Sequence, residues 1–151
     1  MQIEWCENTL KLFLLMKLLA IDYGLKRCGI AVTDDLQMIA SPHAGVETKN
    51  IFEYLKKYLE QNKVELFVLG EPKRLSGADT HSSEAVRKFA VELEKKFGLK
   101  IKWVDERFTS MMAKQVILES GVNKKRRQDK MLVDEVSAAI ILQSYLSSKK
   151  Q

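Results

Sequence analysis

The sequence predicts an α/β protein with one mixed five-stranded sheet and helices on both faces of that sheet. Two apolar runs near the start are joined by the short segment Tyr23-Gly24-Leu25-Lys26, which is typical of an antiparallel β-hairpin. Strands then alternate with helical patterns, which is typical of parallel βαβ units. A length of 151 residues, 46% of them hydrophobic and 30% charged, is ordinary for a single globular domain.

Five segments have the apolar composition of strands, and the first and fourth are apolar enough to be buried on both faces. Pro42 places the third strand near an edge or at a bend, because proline cannot donate a hydrogen bond to a sheet. The predicted strands are residues 17–21, 28–32, 37–46, 65–70 and 100–104.

Four segments repeat apolar residues at helical spacing. The first covers residues 51–59, and the second begins at a cap on Ser82 or Ser83 and is closed by Gly98. The last two cover residues 109–120 and 131–147. No repeat, low-complexity tract or linker interrupts this alternation.

Asp22 follows the first buried strand and begins a glycine-containing turn. An ionised aspartate at this position can hold a divalent cation, while Lys26 and Arg27 supply positive charge for a phosphate. The alternative is that Asp22 only caps the turn, since Asp-x-Gly is common turn chemistry.

Carboxylates also follow the other two parallel strands, as Gly70-Glu71-Pro72 and Asp105-Glu106-Arg107. The carboxyl ends of parallel strands meet at one edge of a sheet, where ligands of α/β proteins usually bind. Together with Asp22, these segments predict an acidic site at that edge.

The last helix carries a further acid on an apolar stripe. Asp134 shares its stripe with Met131 and Ala138, but Glu135 lies on an equally apolar stripe, so periodicity does not choose between them. A buried carboxylate needs a cation, a metal or hydrogen-bond donors. The alternative is an acid in the first helical turn that only favours the helix dipole.

Carboxylates from two strand ends and one helix are the ligand set of a one- or two-metal phosphodiesterase. Their oxygens suit Mg²⁺ or Mn²⁺, and in a two-metal site one ion activates water while the other stabilises the leaving oxygen. The sequence therefore favours metal-dependent phosphate chemistry.

A basic run, Lys124-Lys125-Arg126-Arg127, lies in the predicted loop 121–130 just before the helix that carries Asp134. Such a run is either a solvated loop or a clamp on the nucleic-acid backbone, whose binding would weaken steeply with salt. The chain's net charge of +5 modestly favours an anionic partner.

Residues 1–15 precede a second methionine, Met16, and are predicted to be a dispensable extension. The alternative is an interfacial or partner-binding helix, because the segment is too short and too interrupted by charge for a membrane span. Cys6 and Cys28 have neither metal-site spacing nor the density of a disulfide scaffold, which favours a reducing cytoplasm.

Several ordered motifs resemble the YqgF-type family, whose members are described as candidate Holliday junction resolvases and candidate pre-16S rRNA nucleases. The resemblance runs over most of the chain. Its motifs are Ala20-Ile21-Asp22-Tyr23-Gly24 with Lys26-Arg27 and Gly29-Ile30-Ala31-Val32, Val68-Leu69-Gly70 with Pro72 and Gly77, Val104 to Ser110 with Ala113, and Lys130 with Val133-Asp134 and Ala138-Ala139.

The resemblance implies an RNase H-like nuclease domain over residues 16–148 that cleaves structured RNA at the 5′ end of precursor 16S rRNA. It implies that Asp22, Glu106 and Asp134 are catalytic and bind one or two Mg²⁺ or Mn²⁺ ions, with Asp105 a competing neighbour of Glu106. Glu71 departs from the pattern, which more often has an apolar residue there, so it either adds a carboxylate to the site or faces solvent. Phosphate contacts are expected from Lys26, Arg27, Arg107, Lys124, Lys125, Arg126 and Arg127.

Three alternatives stay open at this point. The protein cleaves four-way DNA junctions, which would require a homodimer rather than a monomer; it is a silent nucleic-acid-binding factor in ribosome maturation; or it handles ATP, since Asp22-Tyr23-Gly24 with a hairpin also resembles actin-like kinases. The ATP interpretation is the weakest, because those enzymes bind nucleotide between two domains and this chain has length for one.

Overall fold

The computed structural model describes residues 15–71, 81–107 and 109–149. All five predicted strands and all four predicted helices are present, and the described residues add one short α-helix and a 3-10 helix, Thr48–Asn50. The strands are β1 (Lys17–Tyr23), β2 (Arg27–Thr33), β3 (Ala40–Glu47), β4 (Val64–Glu71) and β5 (Lys100–Asp105). The helices are α1 (Ile51–Gln61), α2 (His81–Phe97), α3 (Thr109–Glu119), α4 (Lys124–Arg127) and α5 (Lys130–Lys149).

The strands form one mixed sheet in the order β3-β2-β1-β4-β5. β2 is antiparallel to β1 and to β3, whereas β4 is parallel to β1 and to β5. This is the mixed α/β sheet expected of an RNase H-like fold. The carboxyl ends of β1, β4 and β5 therefore meet at one edge, as predicted, and Pro42 lies on the edge strand β3 beside a register shift.

The neighbouring strands β1 and β4 are buried on both faces, and the alternation of their side chains divides the core into two layers. On one face Leu19 and Ile21 belong to a cluster with α1 and α2, while on the other face Leu18 and Ala20 pack against α5. α3 packs mainly on α5 rather than on the sheet. The face on which a β1 side chain lies therefore decides which helix it meets.

Helix α5 lies unusually close to the sheet because β2 and β3 carry glycines beneath it. A Cβ on Gly29 would collide with the backbone of Asp134, and a Cβ on Gly45 would lie 2.8 Å from the Cβ of Met131. The first turns of α5 are thus held directly against the hairpin, and this close approach sets the position of Asp134.

Two helix boundaries differ from the prediction. α2 begins at His81, before both serines, so neither Ser82 nor Ser83 is its N-cap. Residues 121–130 are not wholly a loop, because α4 forms within them. The side chain of Asn123 caps this turn by accepting a hydrogen bond from the backbone N–H of Arg126 at 2.9 Å. This cap stabilises a helical turn where the run of like charges had predicted a loop.

Several predictions concern residues that the structure does not describe, and two further predictions concern a cysteine and membrane spans. Residues 1–14, with Cys6, and the segment 72–80 lie outside the described residues. Cys28 is a buried free thiol. Within the described part of the chain, no helix is both long and apolar enough to cross a membrane.

Candidate active site

Asp22 faces α5 because of strand alternation. It lies on the same face of β1 as Leu18 and Ala20, which pack against α5, and it is paired in register with Gly29. The turn that follows is fixed by Thr48, whose hydroxyl donates a hydrogen bond to the carbonyl of Gly24 at 2.6 Å. A rigid strand end therefore directs this carboxylate into the space beneath α5.

Glu106, and not Asp105, meets Asp22. The Asp22 and Glu106 carboxyl groups are in hydrogen-bond contact. Gly70 makes room for this arrangement, since a Cβ on it would collide with Oε2 of Glu106. Asp105 is exposed and pairs instead with Arg107, whose Nε donates to Oδ2 at 2.8 Å.

Asp134 is brought to the same site by α5. Its Oδ2 accepts a hydrogen bond from Nε of Arg27 at 3.0 Å, and its charge acts on Asp22. Arg27 reaches it because residues 27, 29 and 31 of β2 all face α5. Glu135 lies away from this pairing and is influenced instead by Arg126 and Asp129. The structure thus distinguishes between two acids that sequence periodicity could not separate.

The electrostatics of the acids follow from their crowding. Burial, followed by the charge of Glu106 and a hydrogen bond to it, raises the pKa of Asp22 well above its ordinary value of 3.8. Burial also raises the pKa of Glu106, and it raises that of Asp134 in spite of the opposing Arg27 guanidinium. Three carboxyl groups with raised pKa values form a site that favours a proton or a bound cation.

Glu71 is not part of this cluster. Its side chain pairs with Arg87 of α2 at 3.6 Å, and its backbone carbonyl accepts the N–H of Glu106 at 3.3 Å. Of the two sequence interpretations for Glu71, an added carboxylate at the site or a solvent-facing residue, neither fits well. Glu71 holds α2 and the backbone of Glu106 at the sheet edge.

The predicted phosphate-binding cations occupy different surroundings. Lys26 is exposed in the hairpin turn, whereas Arg27 is committed to Asp134. Arg107 is exposed and paired with Asp105 at 2.7 Å. In α4, residues Lys124, Lys125 and Arg126 are exposed and Arg127 is partly buried. The α4 cations lie just before α5, and burial raises the pKa of Glu135 in spite of the opposing charge of Arg126.

The donor set suits a divalent cation in its chemistry, because carboxylate oxygens are the ligands that Mg²⁺ and Mn²⁺ prefer. In the side-chain arrangement seen here, no three acidic, histidine or cysteine side chains among residues 15–71, 81–107 and 109–149 form a ready ligand group. The observed pairings account for this: the carboxyl groups of Asp22 and Glu106 form a hydrogen bond with each other, and Arg27 forms an ion pair with Asp134.

Sequence reasoning did not identify the ion pair between Arg27 and Asp134 or the use of two glycines for close approach. Gly29 and Gly70 both sit inside strands, where glycine often marks the near approach of another group. The glycines themselves were therefore a visible signal. The partner of each glycine depends on the tertiary fold and was not visible.

Comparison with known proteins agrees with this architecture. The family model for RuvX, described as Holliday junction resolvase, matches residues 16–148. Three similar proteins carry the name "Putative pre-16S rRNA nuclease". The Flavobacterium johnsoniae protein is 47% identical over 135 residues (89% of this chain and 98% of its own length), the Porphyromonas gingivalis protein 50% over 133 residues (87% and 96%), and the Phocaeicola vulgatus protein 47% over 135 residues (89% and 97%).

Among solved structures, a Ppx/GppA family member from Aquifex aeolicus aligns with 67% of this chain and 39% of its own at 17% identity, with a TM-score of 0.30. That likeness is too small to bear on the fold. The relatives and the family model together cover nearly all of the sheet, its helices and the three clustered acids. On that match, this chain belongs to the RuvX family.

Proposed function

We propose that this chain is a metal-dependent endonuclease that processes the 5′ end of precursor 16S rRNA in ribosome biogenesis, in the cytoplasm. The observation that carries the proposal is the meeting of Asp22 and Glu106 beside Asp134 at the carboxyl edge of the parallel strands. Crowded carboxylates with raised pKa values are costly to keep unless they bind something positive. The names of the relatives support the RNA substrate.

Asp22, Glu106 and Asp134 are the residues that would hold one or two Mg²⁺ or Mn²⁺ ions. When bound, the metal would supply an activated water and stabilise the leaving oxygen of the phosphodiester. The chain's own part is positional: β1 and β5 fix Asp22 and Glu106 from the sheet, and α5 delivers Asp134 from above. Arg27 keeps Asp134 oriented and compensates its charge at 3.0 Å.

The exposed cations hold the substrate backbone. Lys26 and Arg107 flank the acids on two different turns, and α4 adds a block of positive charge just before α5. Contacts of this kind position phosphates without reading sequence, so the shape of the folded RNA must supply the choice of cleavage site.

Adjacent carboxylates give a sharp test. Glu106→Gln removes a charge that contacts Asp22, while Asp105→Asn removes a charge one residue away that pairs with exposed Arg107. In an assay of a precursor 16S rRNA 5′ leader with Mg²⁺ or Mn²⁺, Asp22→Asn, Glu106→Gln and Asp134→Asn should each abolish cleavage. Asp105→Asn should retain most of it.

The outcomes separate the remaining interpretations. Equal loss in Asp105→Asn and Glu106→Gln would contradict the assignment of Glu106. Salt-sensitive binding of the leader with no cleavage by the parent protein would favour a silent ribosome-maturation factor.

A DNA junction resolvase is the second candidate, and the description of the matching family favours it. Symmetric cleavage of a four-way junction requires two active sites related by a two-fold axis, and hence a homodimer. Cleavage of a synthetic four-way DNA junction by a dimer, with no cleavage of the RNA leader, would establish this function. A monomer under assay conditions would argue against it.

A further inference from the structure

A groove beside the edge strand β5, on the face of the sheet that α2 covers, has no part in the acidic site. It has a volume of about 420 Å³ and lies between α2 and the edge strand β5. The residues that line it include Arg87 and Glu94 on α2 and Lys100, Lys102 and Trp103 on β5. A volume of a few hundred cubic ångströms accommodates a small ligand or one unit of a polymer.

Trp103 is the unusual member of this lining. Its side chain is 41% exposed, and its neighbour across the groove, Val91, is 53% exposed. An exposed tryptophan between lysines on one strand combines an aromatic surface with positive charge, which is the composition of single-stranded nucleic-acid sites. The simpler alternative is that Lys100 and Lys102 only keep the edge strand from pairing with another sheet.

The groove is linked to the acidic site through β5 and through the contacts of Arg87. Glu106 follows Trp103 by three residues, a span of about 10 Å in extended chain, or one to two nucleotides. Arg87 lines the groove and pairs with Glu71, whose backbone carbonyl accepts the N–H of Glu106. Trp103 shares its face of β5 with Ile101 on the α2 side, whereas Lys100 and Lys102 lie on the α5 face, in register with Leu66 and Val68. A strand leaving the acids would therefore pass the two lysines and cross the sheet edge to reach Trp103.

We propose that this groove, defined by Arg87, Lys100, Lys102 and Trp103, binds the single-stranded nucleic acid that flanks the cleaved bond, with one base stacked on Trp103 and with the phosphates that cross the sheet edge held by the two lysines. The proposal rests on the nuclease function proposed above and deepens it. It makes the preferred substrate one with an unpaired segment next to the cleavage site.

Fluorescence provides a direct test because the chain contains only two tryptophans, Trp5 and Trp103. In a Trp5→Phe background that also carries Asp22→Asn to prevent cleavage, Trp103 is the sole indole. Titration with a short single-stranded RNA should quench its emission, since stacking brings a base against the ring. Unchanged emission at saturating RNA, shown by anisotropy of a labelled oligonucleotide, would overturn the proposal.

Variants measure the contribution of each part. Trp103→Ala should weaken binding about tenfold, and Trp103→Phe should stay within about threefold of the parent, because stacking needs only an aromatic face. The double variant Lys100→Glu/Lys102→Glu should weaken binding and reduce the salt slope of log K by at least about 1.4, which is about 0.7 for each phosphate that the variant no longer neutralises. Lys56→Glu/Lys63→Glu makes the same charge change at exposed positions outside the groove and should alter binding less.

The readouts keep this proposal distinct from the nuclease function. Quenching without cleavage by the parent protein would support the groove while refuting the nuclease. Cleavage with no quenching, and with an unchanged KM in Trp103→Ala, would do the reverse. If Trp103→Ala kept its RNA affinity but lost self-association in sedimentation, the groove would belong to a protein contact and the proposal would be wrong.

Discussion

Asp22 and Glu106 place two acidic groups in contact, with the Asp134 carboxylate beside them. Each has a pKa above its ordinary value because the folded protein desolvates it. An acid with a raised pKa in the folded state contributes stability below its unfolded pKa and loses that contribution as pH rises through the folded pKa. The metal-free protein is therefore less stable at neutral pH than it would be without these charges.

Removing the most perturbed charge should expose this cost. We expect Asp22→Asn to raise the unfolding free energy of the metal-free protein by about 0.5–2 kcal/mol at neutral pH, while activity is lost. Below the ordinary pKa of 3.8 the gain should vanish, since the carboxyl is then protonated in both states. Thermal melts at several pH values in a chelator give the measurement.

Asp105→Asn serves as the control for that measurement, because Asp105 is exposed and its pairing with Arg107 is a surface contact. Its effect should stay within about 1 kcal/mol and should not grow with pH as that of Asp22→Asn does. A loss of stability in Asp22→Asn at neutral pH would contradict the account of the cluster.

Helix α5 controls the site at the scale of elements. It covers one face of the central strands with Ala138, Ile141 and Leu142, and it reaches β2 only because Gly29 has no side chain. Packing and catalysis thus depend on the same approach of helix to sheet.

Substitution of Gly29 should therefore affect both. A Cβ there would collide with helix backbone, which cannot rotate away, so Gly29→Ala should cost about 1–3 kcal/mol of unfolding free energy. Gly45→Ala is the matched comparison, because its new Cβ would lie 2.8 Å from the Cβ of Met131, a milder overlap than the direct collision with backbone at Gly29. Urea unfolding should show the larger loss in Gly29→Ala, and equal losses would argue against a rigid contact.

The basic turn α4 has its own expected signature. Changing Lys124, Lys125 and Arg126 to glutamine should weaken RNA binding and flatten its salt dependence, by about 0.7 in slope for each phosphate of a single strand that is no longer neutralised. Melting temperature should change little, since these side chains are exposed. Filter binding between low and moderate salt provides the measurement, and an unchanged slope would remove α4 from the interface.

Local signals were enough to predict the five strands and the four longer helices, although not α4. Apolar runs identified the strands, and Gly98, with a φ of 67°, ended α2 where expected. They did not separate Asp105 from Glu106 or Asp134 from Glu135, because adjacent acids differ only in their tertiary contacts. Gly70 leaves space for the Glu106 carboxyl group, and Arg27 forms an ion pair with Asp134. Arg27 was predicted to be a phosphate ligand. Its ion pair with Asp134 could not be predicted, because the two residues lie 107 positions apart in sequence.

At the scale of the whole molecule, the described core begins at β1. Leu18 and Leu19 are fully buried, whereas Leu15 is 44% exposed. The family match also begins at residue 16. That residues 1–15 are dispensable stays a prediction.

A truncated chain that starts at Met16 should fold and cleave as the full chain does. Its melting temperature and its rate on the RNA leader should match those of the full chain within experimental error, because the described core residues all follow Met16. A large fall in either would assign residues 1–15 to the domain or to a partner interface.

The place of Asp134 on the last helix has a consequence for the timing of activity during synthesis. β1 to β5 leave the ribosome before α5, so a nascent chain holds Asp22 and Glu106 without their third acid. Contacts between residues so distant in sequence form late in folding. The nuclease proposed here would stay inactive until α5 has been synthesised and has packed on the sheet, because only then does Asp134 join Asp22 and Glu106.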